Sequence, residues 1–231
     1  MLILALDTAL EACAAAVLDT DAGALLAQEQ VLMTRGHAEA LMPMIARVMQ
    51  SAEIAFSSLD RIAVTVGPGS FTGLRVGISA ARGIALAAGR PAVGLTTLSA
   101  YAAPMVGRSE AAPVISAIDA RHDHVYVQIV SGDGNPLVEP CVIPIDAAIA
   151  ASRFGAPHLV GNAANLLAAR WPRDLPPPLT IDPRPAPDIG WVAWLGAAAD
   201  PAGQPPRPLY LRAPDAKPPA PPLFAAQAAT S

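Results

Sequence analysis

The chain is organised around one segment, AVTVGPGSFTGLRVG at residues 63–77. Its apolar, β-branched beginning predicts a strand, the Gly-Pro-Gly sequence predicts a tight turn, and a helix is expected to begin near Ser70 or Thr72. The free N–H groups of a helix N-terminus can bind an anion. However, the segment lacks the Gly-Lys-Ser/Thr of a Walker A loop and fits Gly-x-Gly-x-x-Gly only off register. We therefore predict that its glycines serve backbone geometry and close packing in preference to phosphate binding.

The helix after the turn carries a stripe of small residues. Gly73, Gly77 and Ala81 are spaced four apart with Ala80 beside them, so they share one face. Because an interior glycine costs up to about 1 kcal/mol of helix stability relative to alanine, such a stripe indicates that something approaches the helix closely. The sequence leaves two candidates open: the sheet of the same domain, or another helix from this chain or from a partner.

The composition excludes a protein that holds nucleic acid alone. At 231 residues the chain is long enough for one large domain or two small ones. The formal net charge is −4, Lys217 is the only lysine, and the arginines are scattered singly, so there is no basic stripe. If RNA is the substrate, we expect another chain to supply most of the contacts.

Cysteine usage and the first residues predict a reduced, cytoplasmic protein. Cys13 and Cys141 lack the CxxC spacing, and the chain opens directly on a short apolar strand without a basic leader. No apolar run reaches the length of a membrane span. The hydrophobic fraction of 53% comes largely from alanine, so it does not indicate a membrane protein.

One order of elements occurs twice along the chain. The first half reads as three strands, a helix, a strand, a helix, a strand and a helix. A shift of 112 residues without a gap places Leu6-Asp7 on Ile118-Asp119 and Asp21 on Asp133, and the same order follows in a shortened form. A repeated βββαβαβα unit is typical of the actin-like ATPase and sugar-kinase (ASKHA) superfamily, in which two such domains flank a cleft where ATP binds. We therefore predict a duplicated α/β fold of this class.

The predicted domain organisation has three parts. Residues 1–107 form an N-terminal actin-like domain, and residues 108–212 form a smaller C-terminal actin-like domain. Residues 213–231 are rich in proline and alanine with little apolar surface to bury, and this composition predicts a disordered tail.

The turns that should bind phosphate in such a fold lack glycine. A glycine there lets backbone N–H groups close on a phosphate. The first turn, Asp7-Thr8-Ala9-Leu10-Glu11, has none and adds a carboxylate, and the equivalent turn at residues 119–123 has none either. Two carboxylates repel a triphosphate unless a metal intervenes. The sequence therefore disfavours independent, tight ATP hydrolysis by this chain.

The sequence offers little other catalytic equipment. His122 and His124 are two apart, with Asp119 and Asp123 nearby, which makes a two-histidine metal edge conceivable, but no third histidine is anchored there. No Gly-x-Ser-x-Gly elbow occurs, and both cysteines fit buried strands. We therefore predict no catalytic residue and no metal site.

With these residues in view, the chain resembles the TsaB (YeaZ) family. The first 126 residues match well, whereas the second half matches at short islands. The most specific match is GPGSFTGLRVG at 67–77, and the others are weaker. These other matches are ILALDT at 3–8 with Glu11-Ala12-Cys13, RGHAE at 35–39 leading into LMPMI at 41–45, Asp119-Ala120-Arg121 with Val125-Tyr126, and PLYLR at 208–212.

The resemblance implies a role in making threonylcarbamoyladenosine (t6A) in tRNA. Members of this family are regarded as non-catalytic scaffolds that pair with a larger paralogue, TsaD, which carries the metal and transfers the threonylcarbamoyl group to adenosine 37. An ATPase, TsaE, joins the complex, and TsaC-type enzymes make the adenylate. The resemblance thus implies no cofactor on this chain alone, contact with tRNA only through the complex, and a homodimer when TsaD is absent. Ala9, where relatives often carry serine, departs from the pattern and weakens contact with nucleotide further.

The resemblance also implies an interface made by N-terminal-domain helices. Two apolar stripes, one on each predicted helix, are the expected contact residues, and the alternative is that both stripes face the sheet of their own domain. The predicted interface residues are His37, Leu41, Met44, Ile45, Val48, Gly73, Leu74, Gly77, Ala80 and Ala81.

A rival hypothesis is an actin-like ATPase or small-molecule kinase in which Asp7 and Asp119 hold Mg–ATP. If a nucleotide binds the cleft between the domains, Asp7, Thr8, Asp119 and Arg121 are the expected contacts. A metallopeptidase is disfavoured because histidine ligands are missing. Arg35, Arg75 and Arg121 are candidates to approach tRNA, although each could equally pair with a local acid.

Overall fold

The computed structural model describes residues 1–108 and 112–212, which form two five-stranded mixed sheets flanked by helices. The elements of the first half are β1 (Leu2–Asp7), β2 (Ala12–Asp19), β3 (Ala24–Leu32), α1 (His37–Ser51), a 3-10 helix (Phe56–Ser58), β4 (Arg61–Gly67), α2 (Phe71–Ala88), β5 (Ala92–Thr96) and α3 (Thr97–Ala102). Their sheet has the order β3-β2-β1-β4-β5. The first three strands are antiparallel neighbours, and β1, β4 and β5 are parallel.

The second half repeats this topology. Its elements are β6 (Val114–Arg121), β7 (His124–Val130), β8 (Pro136–Pro144), α4 (Ile145–Ile149), a 3-10 helix (Ala150–Phe154), β9 (His158–Val160), α5 (Ala164–Ala169), β10 (Thr180–Asp182) and α6 (Ile189–Ala198). The sheet order β8-β7-β6-β9-β10 matches that of the first sheet strand for strand, with the same parallel and antiparallel pairs. The predicted α/β class and the duplicated βββαβαβα order are confirmed.

Helices cover both faces of the first sheet. Alternate residues of a strand point to opposite faces. In β1, Leu4 and Leu6 pack in the core under α1 and α2, whereas Ile3 and Ala5 pack in the core under α6. Burial on both faces explains why β1 is a continuous apolar run instead of an alternating one.

The last helix returns to the first sheet, which corrects the predicted second domain of residues 108–212. Gly196 of α6 allows this contact, because a Cβ built there would lie 2.3 Å from the Cβ of Ala63. The buried Arg61 fixes the C-terminal end of α6: its Nη1 donates to the carbonyl oxygens of Gly196 at 2.8 Å and Ala199 at 2.6 Å. The second sheet spans residues 114–182, and α6 belongs to the core of the first.

The two halves are joined by α3 and by the segment 205–212, which we call the C-terminal strap. Residues of α3 pack against β6, and Ser99 Oγ of α3 donates to Gln128 Oε1 of β7 at 3.0 Å. The strap follows the carboxyl end of β4, where the Leu209 N–H donates to the Val66 carbonyl oxygen at 2.8 Å. At its end, Arg212 Nη1 donates to the Ala120 carbonyl oxygen at 3.2 Å. The predicted disordered tail, 213–231, lies outside the described residues.

Candidate functional site

The turn between β4 and α2 holds the helix against the first turn of the chain. Gly67 has a φ of 113°, a backbone conformation that favours glycine. Ser70 is the N-cap residue: its Oγ accepts from the Gly73 N–H at 3.3 Å, and its own N–H donates to the Ala9 carbonyl oxygen at 2.7 Å. The helix therefore begins at Phe71, between the two residues that the sequence suggested.

The stripe of small residues on α2 faces its own domain. A Cβ built at Gly73 would lie 2.0 Å from the Thr8 carbonyl oxygen, and one built at Gly77 would lie 2.5 Å from Thr8 Oγ1. Because the helix backbone lies this close, the Thr8 hydroxyl can donate to the Gly73 carbonyl oxygen at 2.7 Å. Of the two candidates left open by the sequence, the same domain is the one that approaches this face.

Most of the predicted interface residues are buried in the same core, so their assignment to a partner is corrected. They pack between the two helices, α1 and α2, and the first sheet. The prediction was wrong because an apolar stripe at helical spacing has the same sequence pattern whether a sheet or a partner covers it. The exposed fractions are 1% for Leu41, 1% for Met44, 0% for Ile45, 2% for Val48, 1% for Leu74 and 0% for Ala81, and Gly73 and Gly77 are also buried.

Two residues of that prediction retain some exposure. His37 and Ala80 are half-buried. The His37 side chain lies at the start of α1, with its Nε2 3.1 Å from the Leu10 carbonyl oxygen. It therefore joins the helix to the first turn of the chain, whether or not it also meets a partner.

The outward sides of α1 and α2 carry a different apolar surface. Leu86 is 85% exposed and Met42 is 51% exposed. Between the two helices lies an apolar groove of about 350 Å³, which we call the α1–α2 groove. Its lining residues are Met42, Phe56, Ser57, Ile84, Ala87 and Ala88. Leu86 is not among them: it lines a separate cavity of about 520 Å³ on another side of α2, with Arg82 and Arg90. Sequence analysis missed both surfaces because it considered only the inward stripe.

An aromatic cluster ties the strap to the start of α2. The rings of Phe71 and Tyr210 stack with their centroids 5.6 Å apart. The Arg75 guanidinium carbon lies 3.7 Å from the centroid of the Phe71 ring, and its Nε donates to the Tyr210 hydroxyl at 3.3 Å. Arg75, a predicted tRNA candidate, is thus engaged within the chain.

The carboxylate of Asp7 is buried beneath the cleft between the two halves. Its Oδ1 accepts from the Ala9 N–H at 2.9 Å and from the Thr65 hydroxyl at 2.5 Å, whereas its Oδ2 has no partner among the described protein atoms. Burial raises the pKa of Asp7, against the opposing effects of the Thr65 and Ala9 hydrogen bonds and of the nearby His37. Asp7 exposes no surface and therefore presents no oxygen to a ligand.

The cleft itself is an open cavity of about 1000 Å³. Among the four residues predicted to contact a nucleotide, Asp119 and Arg121 line it, but Asp7 and Thr8 do not, which corrects that part of the prediction. The polar and aromatic side chains that line it include Glu11, Arg35, His37, Glu39, Asp119, Arg121, Tyr126, Asn162 and Arg212. Sequence analysis did not predict Asn162 as a cleft residue. The repeat could have identified it, because Asn162 follows β9 at the position that Pro68 occupies after β4 in the first half.

The hairpin turn at the edge of the cleft is strained. Arg121, His122 and Asp123 have φ values of 61°, 52° and 57°, a left-handed conformation that L-residues rarely adopt. The Asp119 carboxylate stabilises the turn by accepting from the Arg121 N–H at 2.7 Å. Arg170 Nη2 donates to Asp123 at 2.7 Å, so this acid is already paired. Among residues 1–108 and 112–212, no group of three His, Cys, Asp or Glu side chains is arranged to hold a metal ion.

No helix among the described residues is long and apolar enough to cross a membrane.

Comparisons with known proteins identify the relatives of this chain. A family model described as "TsaD: tRNA N6-adenosine threonylcarbamoyltransferase" matches residues 30–179. The tRNA threonylcarbamoyladenosine biosynthesis protein TsaB of Escherichia coli is 38% identical over 126 residues, which are 54% of this chain and 53% of that protein. The match thus spans about half the length of this curated relative.

Other relatives match almost the whole chain. The protein Rv3421c of Mycobacterium tuberculosis, described as uncharacterized, is 34% identical over 219 residues, or 94% of each chain. The solved structure of YeaZ from Pseudomonas aeruginosa superposes with a TM-score of 0.73 at 30% identity, and the match covers 91% of this chain and 99% of that one. The YeaZ fold therefore extends through both halves described above.

Proposed function

This chain belongs to the TsaB (YeaZ) family, and we propose that it is a scaffold subunit without a catalytic site of its own. In this proposal it supports threonylcarbamoyl transfer to adenosine 37 of tRNA by its larger paralogue, TsaD. The name of the Escherichia coli relative supports a role in making this modification. The burial of Asp7 supports the absence of ATPase or kinase chemistry that would use this carboxylate.

The single observation that carries the proposal is the uncovered apolar surface on the outward sides of α1 and α2. Met42 and Phe56, which are 51% and 40% exposed, line the α1–α2 groove. Large exposed apolar side chains that line an apolar groove are typical of a protein interface. TsaD is the proposed occupant, because its family model matches residues 30–179 of this chain and so the two proteins share a fold that can present equivalent helices.

The experiment is a reconstitution of the modification. TsaD and TsaE, supplied with tRNA and threonylcarbamoyl-adenylate, are assayed for t6A with and without the purified full-length chain. We expect t6A to form only when the chain is present. Equal t6A formation without it would contradict the scaffold role.

Further parts of the proposal concern partners and place. TsaE joins the complex, and tRNA is contacted through the complex instead of by this chain alone. ATP and the metal are held by the partner proteins, and the site of action is the cytoplasm, where tRNA is modified. Without TsaD, two copies pair through the same outward sides of α1 and α2, since a second copy can cover an exposed apolar surface as a paralogue of the same fold would.

A second candidate is nucleotide binding in the cleft, which is favoured by one observation: Asp119 and Arg121 both line a cavity of about 1000 Å³. Binding there would leave the scaffold role intact unless hydrolysis followed. Titration calorimetry of the isolated chain with Mg–ATP tests it. Micromolar affinity that is lost in Arg121→Ala would support this candidate, and no heat at millimolar nucleotide would exclude it.

A further inference from the structure

The strap and the start of α2 together form an exposed pair of aromatic rings, which we call the Phe71/Tyr210 stack. The two ring centroids lie 5.6 Å apart, and the ring planes are inclined by 26°. Although each ring covers part of the other, Phe71 remains 51% exposed and Tyr210 remains 46% exposed. Phe71 also lines the cleft between the two halves. Exposed aromatic rings of this kind are surfaces on which an unpaired nucleic-acid base can stack.

The guanidinium of Arg75 adds a positive charge to the stack. Its carbon lies 3.7 Å from the centroid of the Phe71 ring, and its Nε donates to the Tyr210 hydroxyl at 3.3 Å. Both contacts are with uncharged groups, and no carboxylate in the described part of the chain forms an ion pair with Arg75. The charge is therefore held in place without being neutralised.

A basic stripe continues from the stack along α2. Arg75 and Arg82 are about two helical turns apart, so they lie on the same side of the helix. Arg82 and Arg90 then line one cavity at the end of α2. Neither of them forms an ion pair with a carboxylate of residues 1–108 and 112–212. Arginines that are scattered singly in the sequence thus share one side of the helix.

The segments that carry the stack and the stripe contain no acid. Neither Asp nor Glu occurs from residue 61 to residue 109 or from residue 201 to residue 212, and the strap adds Arg207 and Arg212. Although the whole chain has a formal net charge of −4, this region is therefore positively charged. A positive stripe along a helix is the electrostatic footprint that a nucleic-acid backbone requires.

The charges of the neighbouring cleft determine where such a backbone can run. Glu11, Glu39 and Asp119 line the cleft and repel phosphate groups. The backbone of a bound strand is therefore expected to follow α2, while an uncharged base turns towards the stack. A free nucleotide offers the same base but only the phosphates attached to it, whereas Arg75 and Arg82 are about 10 Å apart along the helix.

We propose that the Phe71/Tyr210 stack binds an unpaired base of tRNA, whose phosphates follow the arginines of α2. This inference rests on the proposed function, which supplies tRNA as the ligand of the complex. It leaves the α1–α2 groove free for TsaD, because α2 lines that groove with Ile84, Ala87 and Ala88 and lines the cavity of Arg82 with other residues.

Binding of tRNA to the complex tests the stack. The full-length chain is mixed with TsaD, and the fluorescence anisotropy of a labelled, unmodified tRNA gives the Kd. Phe71→Leu and Tyr210→Leu keep an apolar side chain but remove the ring. Each should raise the Kd roughly five-fold or more, which is the lower end of what one stacked base contributes. Phe71→Tyr and Tyr210→Phe keep the rings and should bind tRNA as the natural sequence does.

The salt dependence of the same binding tests the stripe. Arg82→Gln should reduce the slope of log K against log salt by about 0.7–0.9, the value for one lost phosphate contact. Arg153→Gln is the matched control, because the Arg153 guanidinium also lies over an aromatic ring, 4.8 Å from the centroid of Phe154, but in the second half. This control should leave the slope and the Kd unchanged.

The outcomes separate this proposal from the scaffold role. Circular dichroism and copurification with TsaD should be the same in all variants, so a weaker tRNA affinity would not reflect a lost fold or a lost complex. Unchanged Kd values in both leucine variants, or an unchanged slope in Arg82→Gln, would overturn the proposal even if the chain still supports t6A formation. The scaffold role fails instead if t6A forms without the chain.

Two competitors test the identity of the ligand. A blunt RNA duplex has no unpaired base, so it should displace tRNA poorly, and displacement as efficient as that by unlabelled tRNA would overturn the assignment to a base. Mg–ATP should not displace tRNA at micromolar concentration. Displacement by Mg–ATP that is lost in Phe71→Leu would assign the stack to a free nucleotide and would overturn the assignment to tRNA.

Discussion

The hydroxyl of Thr8 donates to the carbonyl oxygen of Gly73 at 2.7 Å, and this contact fixes the direction that helix α2 faces. A hydrogen bond this close to the helix backbone requires glycine at 73 and 77, since any Cβ there would meet Thr8. The side of α2 that has almost no side chains is therefore turned inward, and the side that carries Leu86 is turned to solvent. The surface available to a partner follows from this one contact.

The first prediction concerns the glycines of α2. Gly77→Ala should destabilise the fold by about 1–3 kcal/mol, the usual cost of overpacking, because the new Cβ would lie 2.5 Å from Thr8 Oγ1. Gly83→Ala is the matched control: apart from its own stretch of helix, no described atom lies within 4 Å of its Cβ position, so better helix propensity should stabilise by about 0.5–1 kcal/mol. Urea unfolding of both variants measures the difference, and equal midpoints would contradict the inward orientation of the stripe.

The second prediction concerns the α1–α2 groove. Met42→Asp should weaken copurification with TsaD and lower t6A formation in the reconstituted assay, because it puts a charge into the proposed interface. Leu166→Asp, at a leucine of α5 that is 41% exposed, is the control and should keep both activities. Both substitutions lie at exposed positions, so circular dichroism should stay unchanged. Full activity of Met42→Asp would refute this surface as the docking site.

The third prediction concerns Asp7 and pH. Burial raises the pKa of Asp7 above its ordinary value of 3.8, so the folded state binds a proton more tightly than the unfolded state does. The stabilisation from protonated Asp7 is complete below 3.8 and is lost as the pH rises from there through the raised pKa. The side chain of Asp7→Asn does not ionise. The unfolding free energy of this variant, relative to that of the natural sequence, should therefore increase as the pH rises. Urea titrations at several pH values measure this gap, and a constant gap would argue against a raised pKa.

The fourth prediction concerns Arg61, which holds the end of α6 through three backbone carbonyls, those of Gly196, Ala197 and Ala199. Arg61→Met should destabilise by about 1.5–3 kcal/mol, since charged hydrogen bonds of this kind contribute about that much. Thermal unfolding measures the loss. Arg47→Met, which removes an exposed pair with Glu29, should cost much less and serves as the comparison. Similar losses in the two variants would contradict the capping role of Arg61.

The sequence predicted the elements of the fold well because each depends on local chemistry. Strand and helix periodicity, the Gly-Pro-Gly turn before α2 and the repeat at 112 residues were enough to place both sheets, and helix α1 begins at the predicted residue, His37. The candidate site was predicted less well. Asp119 and Arg121 do line the cleft, but Asp7 and Thr8, identified from the same repeat, lie beneath its floor.

The sequence by itself determined the duplicated βββαβαβα order and the family resemblance, because both depend on the order and spacing of residues along the chain. Only the tertiary structure decided which sides of α1 and α2 face inward, that Asp7 is closed off from the cleft, and that α6 crosses back to the first sheet. The physical reason is that an apolar stripe favours burial by any apolar surface, so the stripe alone does not specify which surface covers it. Leu41 and Gly77 could pack against a sheet as well as against a partner helix. The hydrogen bond between Thr8 and Gly73, which are 65 residues apart in the chain, turns the Gly77 side of α2 towards its own domain.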